Sequence, residues 1–168
     1  MSIACVLIMK KSDVVILFDI DNTLFNTEKL KQTDLTTFEL YDEVKEMLSE
    51  LANVATLGIF SQGQIAFQNK KLLETNIHHY FSEEHKYIVD DKLETIKGVL
   101  SQYKNKAKII VIDDFLEGLR FAKRHDPSIF TIWMKRGEYA HLQKEYSDFV
   151  PDAVIENLND IVSIIAQL

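Results

Sequence analysis

Short, largely apolar runs recur along the chain, separated by stretches that mix apolar and charged positions. Val14–Phe18, Ala55–Phe60, Lys108–Ile112 and Ile129–Met134 are the clearest runs, with a shorter one at Tyr87–Val89. A strand exposed on one face alternates apolar and polar residues, whereas a continuous apolar run is what a parallel sheet covered on both faces requires. The intervening stretches read as helices over Tyr41–Leu51, Gln64–Glu74, Lys92–Tyr103 and Leu116–Arg124, and a last helix is expected at Ile161–Gln167. Strands that alternate with helices imply right-handed crossovers, so the expected class is α/β, a parallel sheet in a three-layer sandwich. In such a fold ligands gather beyond the carboxyl ends of the strands.

Those ends carry the chemistry. Val14–Phe18 runs into Asp19-Ile20-Asp21-Asn22-Thr23. Asp19 and Asp21 would face opposite ways on a continuing strand, but Asn22 and Thr23 favour a turn that lets both carboxylates converge. Two like charges that close together are relieved by a cation between them, and an oxygen-seeking divalent metal is the simple remedy. Leu57–Phe60 ends in Ser61-Gln62-Gly63 ahead of a helix, where a hydroxyl and free amides can hold an anion. Ile109–Ile112 ends in a further acidic pair, Asp113-Asp114, and Lys92 opens a helix between the two. Taken one at a time these are an acidic turn, an N-cap, a charged loop and a solvated lysine. Together they place acids, a hydroxyl and a cation at one edge of one sheet.

That order resembles the phosphatase branch of the haloacid dehalogenase superfamily. Its first motif, D-x-D-x-T, is similar to Asp19-Ile20-Asp21-Asn22-Thr23; its second, an apolar strand ending in Ser or Thr, to Ser61; its fourth, an acidic pair after an apolar strand, to Asp113-Asp114. The third motif is a lysine, assigned to Lys92 with Lys86 as the competing choice. Val150–Ile155 followed by Leu158–Leu168 looks like the family's closing strand and terminal helix. The resemblance implies a Rossmann-like sheet ordered 5-4-1-2-3 with the Asp19 strand central. It also implies Mg²⁺ as cofactor, held by Asp19, by Asp21 through its backbone carbonyl, and by Asp113 and Asp114, with the direct ligand of that pair left open. Asp19 is then the nucleophile that forms an aspartyl phosphate, and Asp21 the general acid and base. Ser61, the Gln62 amide and Lys92 hold the phosphoryl oxygens, and Thr23 fixes the loop by hydrogen bonding. An acid at position 21 suits a phosphate ester, whose leaving oxygen needs a proton, rather than a halide. The resemblance leaves open whether the phosphoryl group goes to water or to another acceptor.

Helically capped relatives insert their cap after the first motif, yet only Leu24–Leu40 is available here. That length makes a short flap or minimal cap, so the site is expected to be open to a large substrate or covered by a second subunit. Phe25, Leu35 and Phe38 read as core staples or as an apolar lip.

Length and composition add limits. The 168 residues fit one domain, 1–168, with residues 1–12 as an N-terminal extension, and two prolines and five glycines leave no linker. Cys5 alone cannot form an intramolecular disulfide, which suits a reducing compartment such as the cytoplasm. Ile3–Met9 is too short to span a membrane and lacks the flanks of a secretory signal, so no membrane partner is expected. A net charge of −7 argues against nucleic acid as a general partner. Lys70-Lys71 and Lys123-Arg124 read as solvated helix faces, while Lys135-Arg136, after its strand, could meet a second anionic group of a substrate. The five histidines show no zinc-binding spacing. The expected partner is thus a phosphorylated substrate, either a small molecule or an exposed macromolecular phosphate. A non-catalytic phosphate-binding module and a receiver-type signalling domain are the competing functional classes.

Overall fold

The computed structural model describes residues 11–168. The expected extension over 1–12, and Cys5 with it, lies almost wholly outside them. Six parallel strands form one sheet. The central strand β1 (Val14–Phe18) lies between β2 (Thr56–Gln62) and β4 (Lys108–Asp113); β3 (Lys86–Val89) flanks β2, β5 (Phe130–Met134) flanks β4, and β6 (Ala153–Ile155) closes the far edge. The order β3-β2-β1-β4-β5-β6 matches the expected 5-4-1-2-3 in part. Read from the other edge, β5-β4-β1-β2-β3 agree, and β6, the expected closing strand, extends the sheet by one beyond β5.

Side-chain alternation divides β1 between two apolar layers. Val14, Ile16 and Phe18 face α2 (Val44–Leu51), α3 (Ile65–Glu74) and α7 (Asn159–Ile165), and Val15 and Leu17 face α4 (Lys92–Ser101) and α5 (Leu116–His125). Every side chain of β1 is therefore buried, which explains why its sequence is apolar without alternation.

The strand register positions the chemistry. Phe18 is level with Ile112 on β4 and Ile59 on β2, and the Asp19 amide continues the ladder with a 2.9 Å bond to the Ile112 carbonyl. Asp19 thus leaves the sheet beside Asp113.

Two short helices escaped the sequence pattern. α1 (Thr27–Gln32) and α6 (Gly137–Leu142) have six residues each, too few for an apolar period to register. α1 is the one helix between Leu24 and Leu40. The chain there folds back on itself, with the Asn26 amide bonded to the Glu39 carbonyl and the Tyr41 amide to the Leu24 carbonyl. Phe25 and Phe38 staple it to Phe67 of α3 through ring contacts of 6.0 and 6.2 Å, whereas Leu35 is exposed and staples nothing.

α2 begins at Val44 rather than at Tyr41, with Glu43 as its N-cap. The Arg136 guanidinium lies 3.7 Å from the Tyr41 ring centre and 2.8 Å from Glu43, whose carboxylate also accepts the Leu158 amide. The expectation that Lys135-Arg136 awaits an anionic substrate group is thereby corrected. Arg136 is spent on a largely buried ion pair, and Lys135 pairs with Glu145 over the Trp133 ring. Among the described residues, no helix is long and apolar enough to cross a membrane.

Because β1 is packed on both faces, shortening Ile16 should be costly. Ile16→Ala is expected to lower unfolding stability by about 2–5 kcal/mol in a denaturant titration, and a loss below about 1 kcal/mol would show that the central strand does not carry the core.

Candidate active site

After Phe18 the chain turns within six residues. The amides of Thr23, Leu24 and Phe25 all point at the Ile20 carbonyl, the Asn22 amide bonds the Phe25 carbonyl, and Asn22 takes the left-handed conformation at φ 55°, which asparagine tolerates better than most residues. Thr23 contributes its backbone amide alone. Its hydroxyl is buried without a partner, so the hydrogen bond by which Thr23 holds this loop is the one from its backbone amide to Ile20.

This turn brings Asp19 against the end of β4. Asp19, Asp113 and Asp114 are all buried and can each offer an oxygen within 4.8 Å of the others. Lys92, itself 2% exposed, donates to Asp19 Oδ1 at 2.8 Å and to Asp113 Oδ2 at 2.7 Å. The other Asp113 oxygen accepts the Phe115 amide, and Asp114 Oδ2 accepts from the Asn22 side chain at 3.1 Å. The Asp114 carbonyl is held by Trp133 Nε1 and Gln143 Nε2.

Three carboxylates against one ammonium leave two negative charges uncompensated. Burial pushes Asp19 up to about 7, with the charges of Asp113 and Asp21 adding to it and Lys92 opposing. Burial likewise pushes Asp114 up to about 9, helped by Asp19 and Asp113. Burial alone would discharge Lys92, but the two carboxylates outweigh it and its pKa rises. Asp19 Oδ2 is buried with no hydrogen-bond partner. An all-oxygen donor set with an orphaned oxygen and a charge deficit of two fits a hard divalent cation.

Asp21 is held apart from that group. Its carboxylate turns to α3 and accepts from Lys71 Nζ at 2.5 Å, Gln68 Nε2 at 2.7 Å and Thr27 Oγ1 at 2.5 Å. Burial would raise its pKa, yet Lys71, Gln68 and Thr27 together keep it below the ordinary value. The Asp21 side chain therefore does not join the other three, and only its backbone carbonyl is left for the metal role expected of it.

The expectation that Lys71 lies on a solvated helix face is corrected, since it is 3% exposed and paired with Asp21; Gln68 was not singled out, although α3 carries a readable signal. Its core-facing positions hold Gln68, Lys71, Leu72 and Thr75, while Ile65 and Leu73 are exposed. Polar residues on the buried stripe of an amphipathic helix need a polar partner inside, and Asp21 is that partner. Gly63 makes the approach feasible, since at its φ of 145° a Cβ would lie 2.7 Å from Gln68 Nε2.

Of the two lysine candidates, Lys92 is in the site. Lys86 begins β3, at the opposite end of the sheet, and pairs with Glu83. Ser61 is fully buried near the end of β2 and its hydroxyl has no partner. The Gln62 side chain accepts the Lys92 amide at 3.0 Å and its carbonyl accepts from Gln68, so it ties α3 and α4 together at this edge. Asp19, Asp21, Lys92, Asp113 and Asp114 all line one open cleft of about 340 Å³.

No family model and no curated protein sequence matches this chain. Solved structures do. A protein assigned as a haloacid dehalogenase-like hydrolase from Burkholderia xenovorans superposes with a TM-score of 0.76 at 20% identity, covering 93% of this chain and 98% of that one. The HAD-hydrolase YfnB of Bacillus subtilis, solved with magnesium bound, gives 0.71 at 13% identity over 92% and 99%. A predicted phosphoglycolate phosphatase from Haemophilus somnus gives 0.67 at 16% over 94% and 99%. The chain has the fold of the haloacid dehalogenase-like hydrolases.

The raised carboxyls tie stability to pH. Asp19 and Asp114 hold protons more tightly folded than unfolded, so between about pH 4 and pH 9 the metal-free folded state binds more protons and loses stability as pH rises. Asp21, shifted the other way, titrates below this window and is constant across it. The melting temperature in EDTA should therefore fall between about pH 5 and pH 9, and added Mg²⁺ should raise it most at the alkaline end. A metal effect independent of pH in differential scanning calorimetry would contradict this charge balance.

Proposed function

We propose that this chain is a Mg²⁺-dependent phosphatase that hydrolyses a phosphate monoester through an aspartyl phosphate on Asp19. The observation that carries this reading is the buried Asp19 carboxylate, with one oxygen anchored by Lys92 and the other without a partner, lining an open cleft beside Asp113 and Asp114. A structural carboxylate at that depth would have both oxygens satisfied. The fold shared with a magnesium-bound hydrolase and a predicted phosphatase supports the same class.

Asp19, Asp113 and Asp114, with the Asp21 carbonyl, would hold the cation, which when bound supplies positive charge that lets a carboxylate approach a phosphate dianion. A phosphate monoester otherwise resists attack strongly enough that enzymes supply accelerations of up to ~10²¹-fold. Lys92 orients Asp19 for in-line attack on phosphorus. The phosphorus–oxygen bond to the leaving group breaks as the Asp19–phosphorus bond forms, which divides one hard displacement into two. Ser61, the Gln62 amide and Lys92 serve the phosphoryl oxygens. Asp21 gives a proton to the leaving alkoxide in the first displacement. In the second it takes a proton from the water that attacks phosphorus as the Asp19–phosphorus bond breaks, so phosphate leaves and both carboxyl groups return to their starting forms.

Two outcomes test this. Hydrolysis of p-nitrophenyl phosphate should require a divalent metal, vanish in excess EDTA, return with Mg²⁺, and drop to background in Asp19→Asn; full activity in EDTA would remove the metal from the reaction. Asp21→Asn should cost about 10²- to 10⁴-fold on an alkyl phosphate and distinctly less on p-nitrophenyl phosphate, whose leaving group needs no proton. Equal losses on both esters would refute the assignment of Asp21 as proton carrier.

A further inference from the structure

The cleft does not end at the acids. A second open cavity of about 560 Å³ adjoins it, and Asn22, Lys31 and Tyr139 line both. α1 supplies one wall and α6 the other. The walls are tied together by Glu28, whose carboxylate accepts the Glu138 amide at 2.6 Å, and by Gly137, where a Cβ would stand 3.1 Å from that same carboxylate. Lys31 therefore occupies the junction between the acidic site and the outer cavity.

Its charge is uncommitted. The cleft at the acids is lined by two lysines, and Lys92 is held between Asp19 and Asp113 at the inner end. Lys31 makes no side-chain hydrogen bond or ion pair among the described residues, and Glu28, its neighbour on α1, is engaged by α6. Glu138 is exposed and lines the outer cavity alone. Beside the junction, Tyr139 and Phe115 form an aromatic wall with ring centres 6.5 Å apart. Tyr139 and Lys31 thus stand where the cleft at Asp19 opens into the outer cavity.

We propose that this junction binds the organic part of the substrate, and that Lys31 selects phosphate monoesters bearing a second anionic group, a carboxylate or a further phosphate, on the leaving alcohol. The inference rests on the phosphatase reading and specifies its substrate class. The second anion meets a cation that has no other partner, and the carbon skeleton lies against Tyr139. Lys31 also lines the outer cavity, which Asp19 does not. That places it along the leaving group rather than on the transferred phosphate.

The test compares phenyl phosphate with 3-carboxyphenyl phosphate, matched in ring and bond broken. The wild type should show a lower KM for the carboxylated ester. Lys31→Met should raise that KM about five- to tenfold while leaving kcat, and both parameters for phenyl phosphate, within about twofold; Lys31→Arg should keep the preference and Lys31→Glu reverse it. Equal KM increases for both esters would overturn the proposal, since Lys31 would then serve the shared phosphate. Absence of any preference in the wild type would overturn it too. Calorimetric binding of the same two esters to Asp19→Asn, with Mg²⁺ present, separates the two readings. Tighter binding of the carboxylated ester without turnover by the wild type would sink the phosphatase reading and keep the subsite, and equal binding would sink the subsite.

Discussion

Carboxylates are costly to bury, and this chain buries three around a single ammonium. Lys92 reaches Asp19 and Asp113 at once because it opens α4 just where β1 and β4 end at the same level. Removing that lysine would leave neighbouring anions in a medium that screens them poorly, a cost of several kcal/mol that the local structure could not absorb. Much of the surrounding detail serves to hold the arrangement. The Asn22 side chain reaches Asp114, the Phe115 amide reaches Asp113, and Trp133 and Gln143 pin the intervening carbonyl. The single Lys92 ammonium offsets one of the three carboxylate charges, and the two left over define the appetite of the site for a cation.

The two acids of the first motif are separated by environment. Asp19 faces other carboxylates and is driven toward the protonated form, whereas Asp21 faces Lys71, Gln68 and Thr27 and is driven away from it. Residues two apart in sequence thus acquire opposite tendencies, in the metal-free site, from the elements packed against them. α3 bears the cost. It spends core positions on Gln68 and Lys71 that an ordinary helix would give to leucine.

The sheet was legible because β1 is apolar throughout and β2, β4 and β5 each have an apolar stretch at their centre, and the acids stood out by following the β1 and β4 runs directly. Lys92 could be chosen over Lys86 only weakly from spacing, since what separates them is which end of a strand each occupies. Arg136 was misjudged because its partners, Tyr41 and Glu43, lie about ninety residues away and nothing local announces them. α1 and α6 were illegible for want of length. Lys71 was legible in principle from the buried stripe of α3, but Lys70-Lys71 presents as a charged pair until the helix is aligned on its neighbours.

The register that seats Asp19 beside Asp113 also governs how the protein is assembled. Lys92 is 73 residues from Asp19 and Asn22 is 92 from Asp114, so the site has almost no local contacts and cannot preexist in a fragment. Its closure waits on the long parallel crossover that brings β4 to β1, among the slower events available to a chain of this size. That same step sets Asp19 against Asp113 and Asp114, so the contacts that complete the fold are also the ones that concentrate its buried negative charge.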